Sequence, residues 1–398
     1  MQSPSTKLMI SEKSPDNLKI AMLGSFPPLR GLSSYCLELA LSIADLTDIE
    51  FISFKKLYPA FMYPGGELKE DNTFPVPHHP NLKIKRRLTW YNPLTWLKEG
   101  MFGNGDLLHA QWWSLPLFPV YLIILTFFKI RCRPIVITVH NVLDHEKSYT
   151  YKMFSGLLFK LADHLIVHTA KNKEQMITEY GTSPDKLSLI PHGSLDFHVK
   201  HNINREEIRK EMGFNTNDKI ILLFGTIRPY KGVDTALKAF AQVIAKAPDS
   251  RLLIAGKLWE KWDPYQNLIK ELNIEEHVST YLDYIPSGEV YRYFTASDIV
   301  ILPYHHFDSQ SGVGATAVSF RKPLIVTDVG GLPDLVCDRR FIVSPNDESS
   351  LASAIIECIN DPIQLKAMTD ASDTIIEKLS WPAIAKKTYS IYNQVLDL

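Results

Sequence analysis

Gln310-Ser-Gly-Val-Gly-Ala-Thr-Ala-Val-Ser-Phe-Arg-Lys-Pro-Leu-Ile-Val-Thr-Asp-Val-Gly-Gly-Leu-Pro-Asp334 carries the reading of the whole chain. The run before it, Asp298-Ile-Val-Ile-Leu-Pro303, is short, apolar and β-branched, and predicts a buried parallel strand ended by a proline. Asp308, Ser309, Gln310 and Ser311 then lead through Gly312 and Gly314 into a helical stretch. Free backbone N–H groups and the positive end of a helix therefore face the outlet of that strand, where an anion such as a phosphate sits well. Leu324 to Thr327 predicts the next strand, closing on Gly330-Gly331, whose small size permits close backbone approach. A structural turn rich in small residues is the alternative for this segment, because Gly-rich turns are common.

The same alternation extends in both directions. Upstream, strands are predicted at Leu18 to Leu23, Ile49 to Phe54, Leu107 to Ala110, Ile135 to Val139, His164 to His168 and Leu187 to Pro191. Helical periodicity shows at Ser33 to Leu46, Tyr151 to Leu161 and Lys171 to Tyr180. A polar, charged stretch, His198 to Asp218, reads as a linker. Beyond it a second series begins with the strand Lys219 to Phe224 and continues with strands at Arg251 to Ala255 and Val278 to Leu282. Helices are expected at Val233 to Lys246, Tyr265 to Leu272 and Ser287 to Ala296. Strands alternating with helices predict doubly wound parallel sheets, whose ligands bind at the carboxyl ends of the strands. Two such sheets facing one another place the site in the cleft between them.

Bulk properties are compatible with this and exclude little else. The 398 residues suit two domains, each able to bury a core. Hydrophobic content of 45% and charged content of 22% are those of a globular protein, and a formal charge of −1 gives no reason to expect nucleic acid. Cys36, Cys132, Cys337 and Cys358 are widely separated, without metal-ligand or Cys-x-x-Cys spacing, which fits a reduced cytoplasmic setting. Residues 1–17 are polar and without the apolar core of a secretory signal, so they read as a loose tail. Leu115 to Ile130 is the most membrane-like stretch, but Pro116 and Pro119 interrupt it and it falls short of the roughly 20 residues a span needs. It is expected to be a buried helix. The basic and aromatic set Lys83, Lys85, Arg86, Arg87, Trp90, Tyr91, Trp96, Trp112 and Trp113 leaves a membrane-surface association, at the inner face, as an open alternative.

Chemistry-bearing residues gather at predicted strand ends. In Gly225-Thr-Ile-Arg-Pro-Tyr-Lys-Gly232, Arg228 and Lys231 project from a strand end toward the cleft, placed to neutralise charge on a departing diphosphate. His140 ends another strand and is followed by Asn141 and by His145-Glu146, which suggests a cleft role; a histidine satisfied by backbone is the bland alternative. His109 and His192 read as structural or peripheral.

These pieces, in their order, resemble a family 4 retaining glycosyltransferase of the GT-B fold: two facing Rossmann-like doubly wound domains with the active site in the inter-domain cleft. The resemblance runs from about residue 18 to 398 and rests on the loop containing Gly31, His140 to Glu146, Ile190 to Asp196, Phe224 to Gly232, Leu253 to Gly256 and Gly312 to Asp334. It implies an acceptor-binding domain at 18–197, a linker at 198–218, a nucleotide-sugar-binding domain at 219–378 and a C-terminal crossover helix at 379–398. It also implies that Lys231 and Arg228 bind the donor diphosphate, that His140 lies beside the reacting sugar and that Gly31 lies by the phosphates or acceptor. Gly225, Asp308, Gln310, Ser311, Gly312, Val313 and Thr316 would complete the donor site. In the family's pattern of Glu, seven residues, Glu, Asp308 falls on the first acid and Thr316 on the second. That second position ordinarily binds the donor ribose, so Thr316 is a departure.

The expected reaction moves a sugar from a nucleotide-diphosphate sugar to a glycan, lipid-linked or small-molecule acceptor with retention. No metal and no further cofactor is expected, since no Asp-x-Asp motif stands at a convincing strand end. A nucleotide-sugar epimerase of the same architecture and a non-catalytic nucleotide-sugar-binding subunit are the two competing readings.

Overall fold

The computed structural model describes residues 18–397 apart from 30–31, 58, 60–61, 63–69, 74–75, 144–148, 196–197 and 200–202. The expected tail, 1–17, lies outside the described residues, as do Gly31, His145 and Glu146.

Two parallel sheets account for the strands. The first contains β1 (Lys19–Gly24), β2 (Asp48–Lys56), β3 (Leu82–Thr89), β4 (Leu107–Trp112), β5 (Ile135–Val139), β6 (His164–Val167) and β7 (Leu187–Leu189), in the order β3-β2-β1-β4-β5-β6-β7. The second contains β8 (Lys219–Phe224), β9 (Ser250–Ala255), β10 (Val278–Tyr281), β11 (Ile299–Leu302), β12 (Leu324–Thr327) and β13 (Ile342–Val343), in the order β10-β9-β8-β11-β12-β13. Strands such as Ile299-Val-Ile-Leu302 are buried along their whole length, as sheets covered on both faces require. Strand order reverses between β1 and β4 in one sheet and between β8 and β11 in the other. Ligand crevices of doubly wound sheets open at such points.

Helices cover the faces. The helix Ser33–Ala44 buries Leu39, Ala40 and Ile43 against Ile384, Ala385, Ile391 and Tyr392 of the C-terminal helix Trp381–Val395, which thus packs on the first domain. The preceding helix, Pro362–Lys378, belongs to the second domain, burying Met368 and Ile375 there. Trp381 marks the crossing: its indole N–H donates to the Ser194 carbonyl at 2.6 Å.

Two expectations need amendment. The linker stretch contains the helix Arg205–Glu211, and both Arg205 and Arg209 pair with Asp298 at the entry to β11, so part of it is anchored to the second sheet. The basic and aromatic set is divided: Trp96 and Trp112 are buried, whereas Lys83, Arg86, Arg87 and Tyr91 are exposed. Lys83 to Arg87 form the edge strand β3, where Lys85 pairs with Glu50 at 2.6 Å; Trp90 donates to the Pro116 carbonyl, Trp96 to the Thr89 carbonyl, and Trp112 is buried. The buried helix expected at Leu115 to Ile130 is present: a short turn leads into the helix Phe118–Ile130, which buries Val120, Tyr121, Ile124, Leu125 and Phe128. Among the described residues no helix is long and apolar enough to cross a membrane.

Candidate donor site at the second switch point

Loops after β8 and β11 meet at the switch point of the second sheet. Gly225 follows β8 at φ +101°, and a Cβ there would come within 2.9 Å of Val313 and 3.6 Å of the Lys231 ammonium. Gly232, at φ +69°, turns the chain into the helix Val233–Ile244, and a side chain there would collide with the Pro303 carbonyl. Between these two glycines Lys231 is buried. Its ammonium donates to the Tyr304 hydroxyl and lies 4.2 Å from the centre of that ring. The Tyr304 hydroxyl lies 3.3 Å from Ser311 Oγ, which caps the helix Gly312–Ser319 by accepting the Gly314 N–H at 3.2 Å. Burial, and then the neighbouring Arg228 charge, bring Lys231 down to about 7.

Arg228 stacks its guanidinium 3.8 Å above the Trp259 ring, and its Nε has no hydrogen-bond partner among the described residues. The cleft around these groups has a volume of about 400 Å³, and no aspartate or glutamate is among its described lining residues. Two cations and a helix N-terminus in one cleft form an environment suited to a diphosphate.

Of the sequence-predicted donor residues, Gly225, Arg228, Lys231, Ser311, Gly312, Val313 and Thr316 share this cleft. Thr316 spends its hydroxyl proton on the Gly312 carbonyl, 2.9 Å away within its own helix. Asp308 and Gln310 do not line it. The Asp308 carboxylate pairs with Lys171 at 2.7 Å, and the Gln310 carboxamide oxygen accepts the His192 backbone N–H. Both side chains tie the loop after β11 to the first domain.

His140 lies across that junction. Its carbonyl accepts a 2.8 Å hydrogen bond from Ser309 Oγ, and its buried ring stands 4.6 Å from the Tyr35 ring, edge-on. Burial, and then the histidines 168, 192 and 109, hold its pKa well below the ordinary imidazole value. The sequence reading passed over Tyr304 and Trp259, which contact Lys231 and Arg228, and Gln111 and His168, which contact His140. Gln111 is in β4, while His168 and Tyr304 stand just beyond strand ends, a position that was available as a signal.

Comparison with known proteins follows the same division. The profile described as Glycosyltransferase Family 4 matches residues 29–194, and that described as Glycosyl transferases group 1 matches residues 204–374. The chain is a family 4 glycosyltransferase of the GT-B fold. This glycosyltransferase is 27% identical over 270 residues to the D-inositol 3-phosphate glycosyltransferase of Corynebacterium aurimucosum, a match covering 65% of this chain and 64% of that one. The chain therefore spans just under two thirds of that relative's length. Its fold is shared by Anabaena HepE, solved in complex with UDP and glucose, with a TM-score of 0.74 and 18% identity over 95% of this chain and 100% of that one. The sucrose-phosphate synthase of Thermosynechococcus elongatus has a TM-score of 0.72 to this glycosyltransferase and 17% identity, over 96% and 100% of the two chains.

Proposed function

We propose that the protein transfers a sugar, with retention and without a required metal, from a nucleoside-diphosphate sugar to a hydroxyl acceptor held by the first domain. The observation that carries this reading is the cleft that brings together Lys231, Arg228 and the N-terminus of the helix Gly312–Ser319. Charge developing on the departing diphosphate is met by the Lys231 ammonium, the Arg228 guanidinium and the helix N–H groups, which are in place before reaction. With the phosphate charge met in this way, no cation is required to bridge it. Among its described lining residues the cleft has no carboxylate, and attack is taken to come from the acceptor hydroxyl on the face the diphosphate leaves, with the leaving phosphate taking the proton. His140, Asp308 and Gly31 remain proposed neighbours of the sugar and acceptor.

HepE shares the fold and is solved with UDP, so UDP-glucose is the first donor to try. UDP-, GDP- and ADP-sugars are incubated with the protein and with Lys231→Ala, scoring thermal shift, nucleoside diphosphate release, the effect of EDTA and the anomeric configuration of the product by NMR. One donor giving a shift and EDTA-insensitive release, both lost in Lys231→Ala, with retention in the product, supports the proposal. Binding without release to any acceptor supports a nucleotide-sugar-binding subunit.

For the acceptor, one surface favours a lipid-linked class over a soluble glycan or small molecule. The helix Pro93–Phe102 and the turn before it leave Leu94 71%, Phe102 71% and Tyr91 60% exposed. Co-sedimentation with anionic vesicles, reduced in a Leu94→Ser, Phe102→Ser variant, tests it.

A further inference from the structure

A file of hydrogen-bonding side chains runs from the C-terminal helix to His140. The Tyr392 hydroxyl lies 2.6 Å from His109 Nδ1, and His109 Nε2 lies 2.7 Å from Thr138 Oγ1 and 3.2 Å from the Gln111 amide nitrogen. The Gln111 amide oxygen lies 2.9 Å from His140 Nε2, His140 Nδ1 lies 3.1 Å from His168 Nε2, and His168 Nδ1 lies 2.8 Å from the Ile190 carbonyl oxygen. All of these side chains are buried, so each contact along the file has to be filled by a proton.

Counting those protons decides the directions. The Ile190 carbonyl only accepts, so His168 carries its proton on Nδ1 and, when neutral, presents a lone pair at Nε2. His140 must then donate from Nδ1, which leaves a lone pair on its Nε2. The Gln111 carboxamide supplies a donor there when its NH₂ end faces His140, a half-turn from the orientation with the oxygen facing that ring. The same half-turn brings the Gln111 oxygen to His109 Nε2, which donates to it, and His109 Nδ1 accepts from the Tyr392 hydroxyl. The His109 Nε2 proton is then shared between the Gln111 oxygen and Thr138 Oγ1, and with it every contact of the file is filled with all three imidazoles neutral. With the Gln111 oxygen toward His140 instead, the His140 and His168 rings need three protons between two carbonyl oxygens, and the pair is a cation.

The surroundings favour the neutral arrangement. Around the pair stand Gln111 from β4, Tyr35 from the helix Ser33–Ala44, His109 and His192, and the Ser309 hydroxyl at the His140 carbonyl. No carboxylate hydrogen-bonds either ring among the described residues to balance a charge. Burial brings both His109 and His168 down to about 3.

We propose that Gln111 is a positioning residue that holds His140 neutral with its proton on Nδ1, and that Tyr392, from the C-terminal helix, sets the direction of the Gln111 amide through His109. Its catalytic value rests on the proposed place of His140 beside the reacting sugar: a neutral ring puts no positive charge next to a sugar carbon that becomes cationic.

The test is ¹⁵N NMR of histidine-labelled protein, with the His140 signals assigned through His140→Asn, combined with donor-dependent kinetics. Wild type shows His140 neutral and protonated on Nδ1 from pH 5 to pH 8. In Gln111→Glu a carboxylate accepts at both ends, and His140 becomes an imidazolium at pH 7 while kcat falls on the order of tenfold at little-changed donor KM. Tyr392→Phe keeps the ring but removes the donor, so a second His140 tautomer appears; this variant carries the test should Gln111→Glu not fold. A wild-type His140 protonated on Nε2, or His140 signals unmoved in both variants, overturns the proposal. The expected NMR changes with an unaltered kcat leave the relay standing and remove His140 from the reacting sugar, which separates the two claims.

Discussion

The Ser309 hydroxyl donates a 2.8 Å hydrogen bond to the backbone carbonyl of His140, joining the loop after β11 in the second domain to the end of β5 in the first. Asn172 adds a bond from its amide nitrogen to the Asp308 carbonyl at 2.6 Å, and Leu195 N–H donates to Ser319 Oγ at 3.1 Å. The loop that leads into the helix Gly312–Ser319 is thus held by the domain carrying His140. Replacing Ser309 by alanine removes one such bond, worth about 1 kcal/mol. We expect kcat/KM to fall about fivefold with the melting temperature nearly unchanged, measured by donor-dependent kinetics and calorimetry. An unaltered kcat/KM refutes the coupling.

Lys231 gives a pH dependence with a definite sign. With its folded pKa lowered to about 7 by burial and by Arg228, the free enzyme carries the ammonium below that pH and loses it above. The groups facing it are Tyr304, Tyr230 and Arg228, none of them an acid. Donor kcat/KM is therefore expected to be level below about pH 6 and to fall tenfold per unit well above 7, as an essential protonated group requires. Bound diphosphate raises the pKa again, so kcat stays level to higher pH. Lys231→Ala lowers kcat on the order of a hundredfold. A pH-independent kcat/KM between 6 and 9 contradicts this assignment.

Thr316 donates to Gly312, and if the proposed donor places its ribose here, it meets a hydroxyl oxygen in place of the carboxylate that the family pattern implies. Thr316→Glu is expected to tighten UDP severalfold in isothermal titration, because charge-assisted hydrogen bonds are about twice as strong as neutral ones. Weaker binding shows that the donor ribose is held elsewhere.

Asp71 is the hub of a second contact between domains. Its carboxylate accepts from the Tyr284 hydroxyl and the Ser287 N–H, each at 2.8 Å, while Thr73 Oγ accepts the Gly288 N–H at 3.0 Å. Burial raises the Asp71 pKa, but the hydrogen bonds from Thr73, Ser287 and Tyr284 outweigh it and hold the group at about 2. Because the folded pKa is depressed, the stabilisation is present above the ordinary 3.8 and is lost as pH falls through about 2. Asp71→Ala at neutral pH removes the same contact, and small-angle scattering is expected to report a larger radius of gyration. An identical scattering curve disproves a clamping role.

At Gly193 a side chain would overlap the Trp381 ring, where the C-terminal helix joins the first domain. Gly193→Ala is expected to cost about 1 to 3 kcal/mol through overpacking, read as a lower unfolding midpoint in urea. A midpoint equal to wild type means that Trp381 moves aside freely.

Much of the architecture was legible because its determinants are local. Runs such as Ile135-Val-Ile-Thr-Val139 and Leu324-Ile-Val-Thr327 are β-branched and flanked by turn residues, and they form strands with those bounds. The proposed donor-site segment was readable for the same reason: capping by Ser311 and the backbone freedom of Gly225 and Gly232 depend on near neighbours in the chain. The edge strand β3 was not, because Leu-Lys-Ile-Lys-Arg-Arg-Leu-Thr is half solvated, and a charged edge reads like a docking surface until its partner β2 is known.

By itself, then, the sequence determined the alternation of strands and helices, the two halves, the family and the loop proposed to take the donor. Tertiary structure alone decided which way the side chains of that loop turn. Asp308 and Gln310 sit on it beside Ser311, yet they engage Lys171 and His192, more than a hundred residues away in the chain. His140 likewise has Gln111 and His168 as partners, and Tyr392 reaches His109 across 283 positions. Backbone geometry follows from local torsional and capping preferences, whereas the partner of a buried polar group is whatever the packed fold brings within about 3 Å of it.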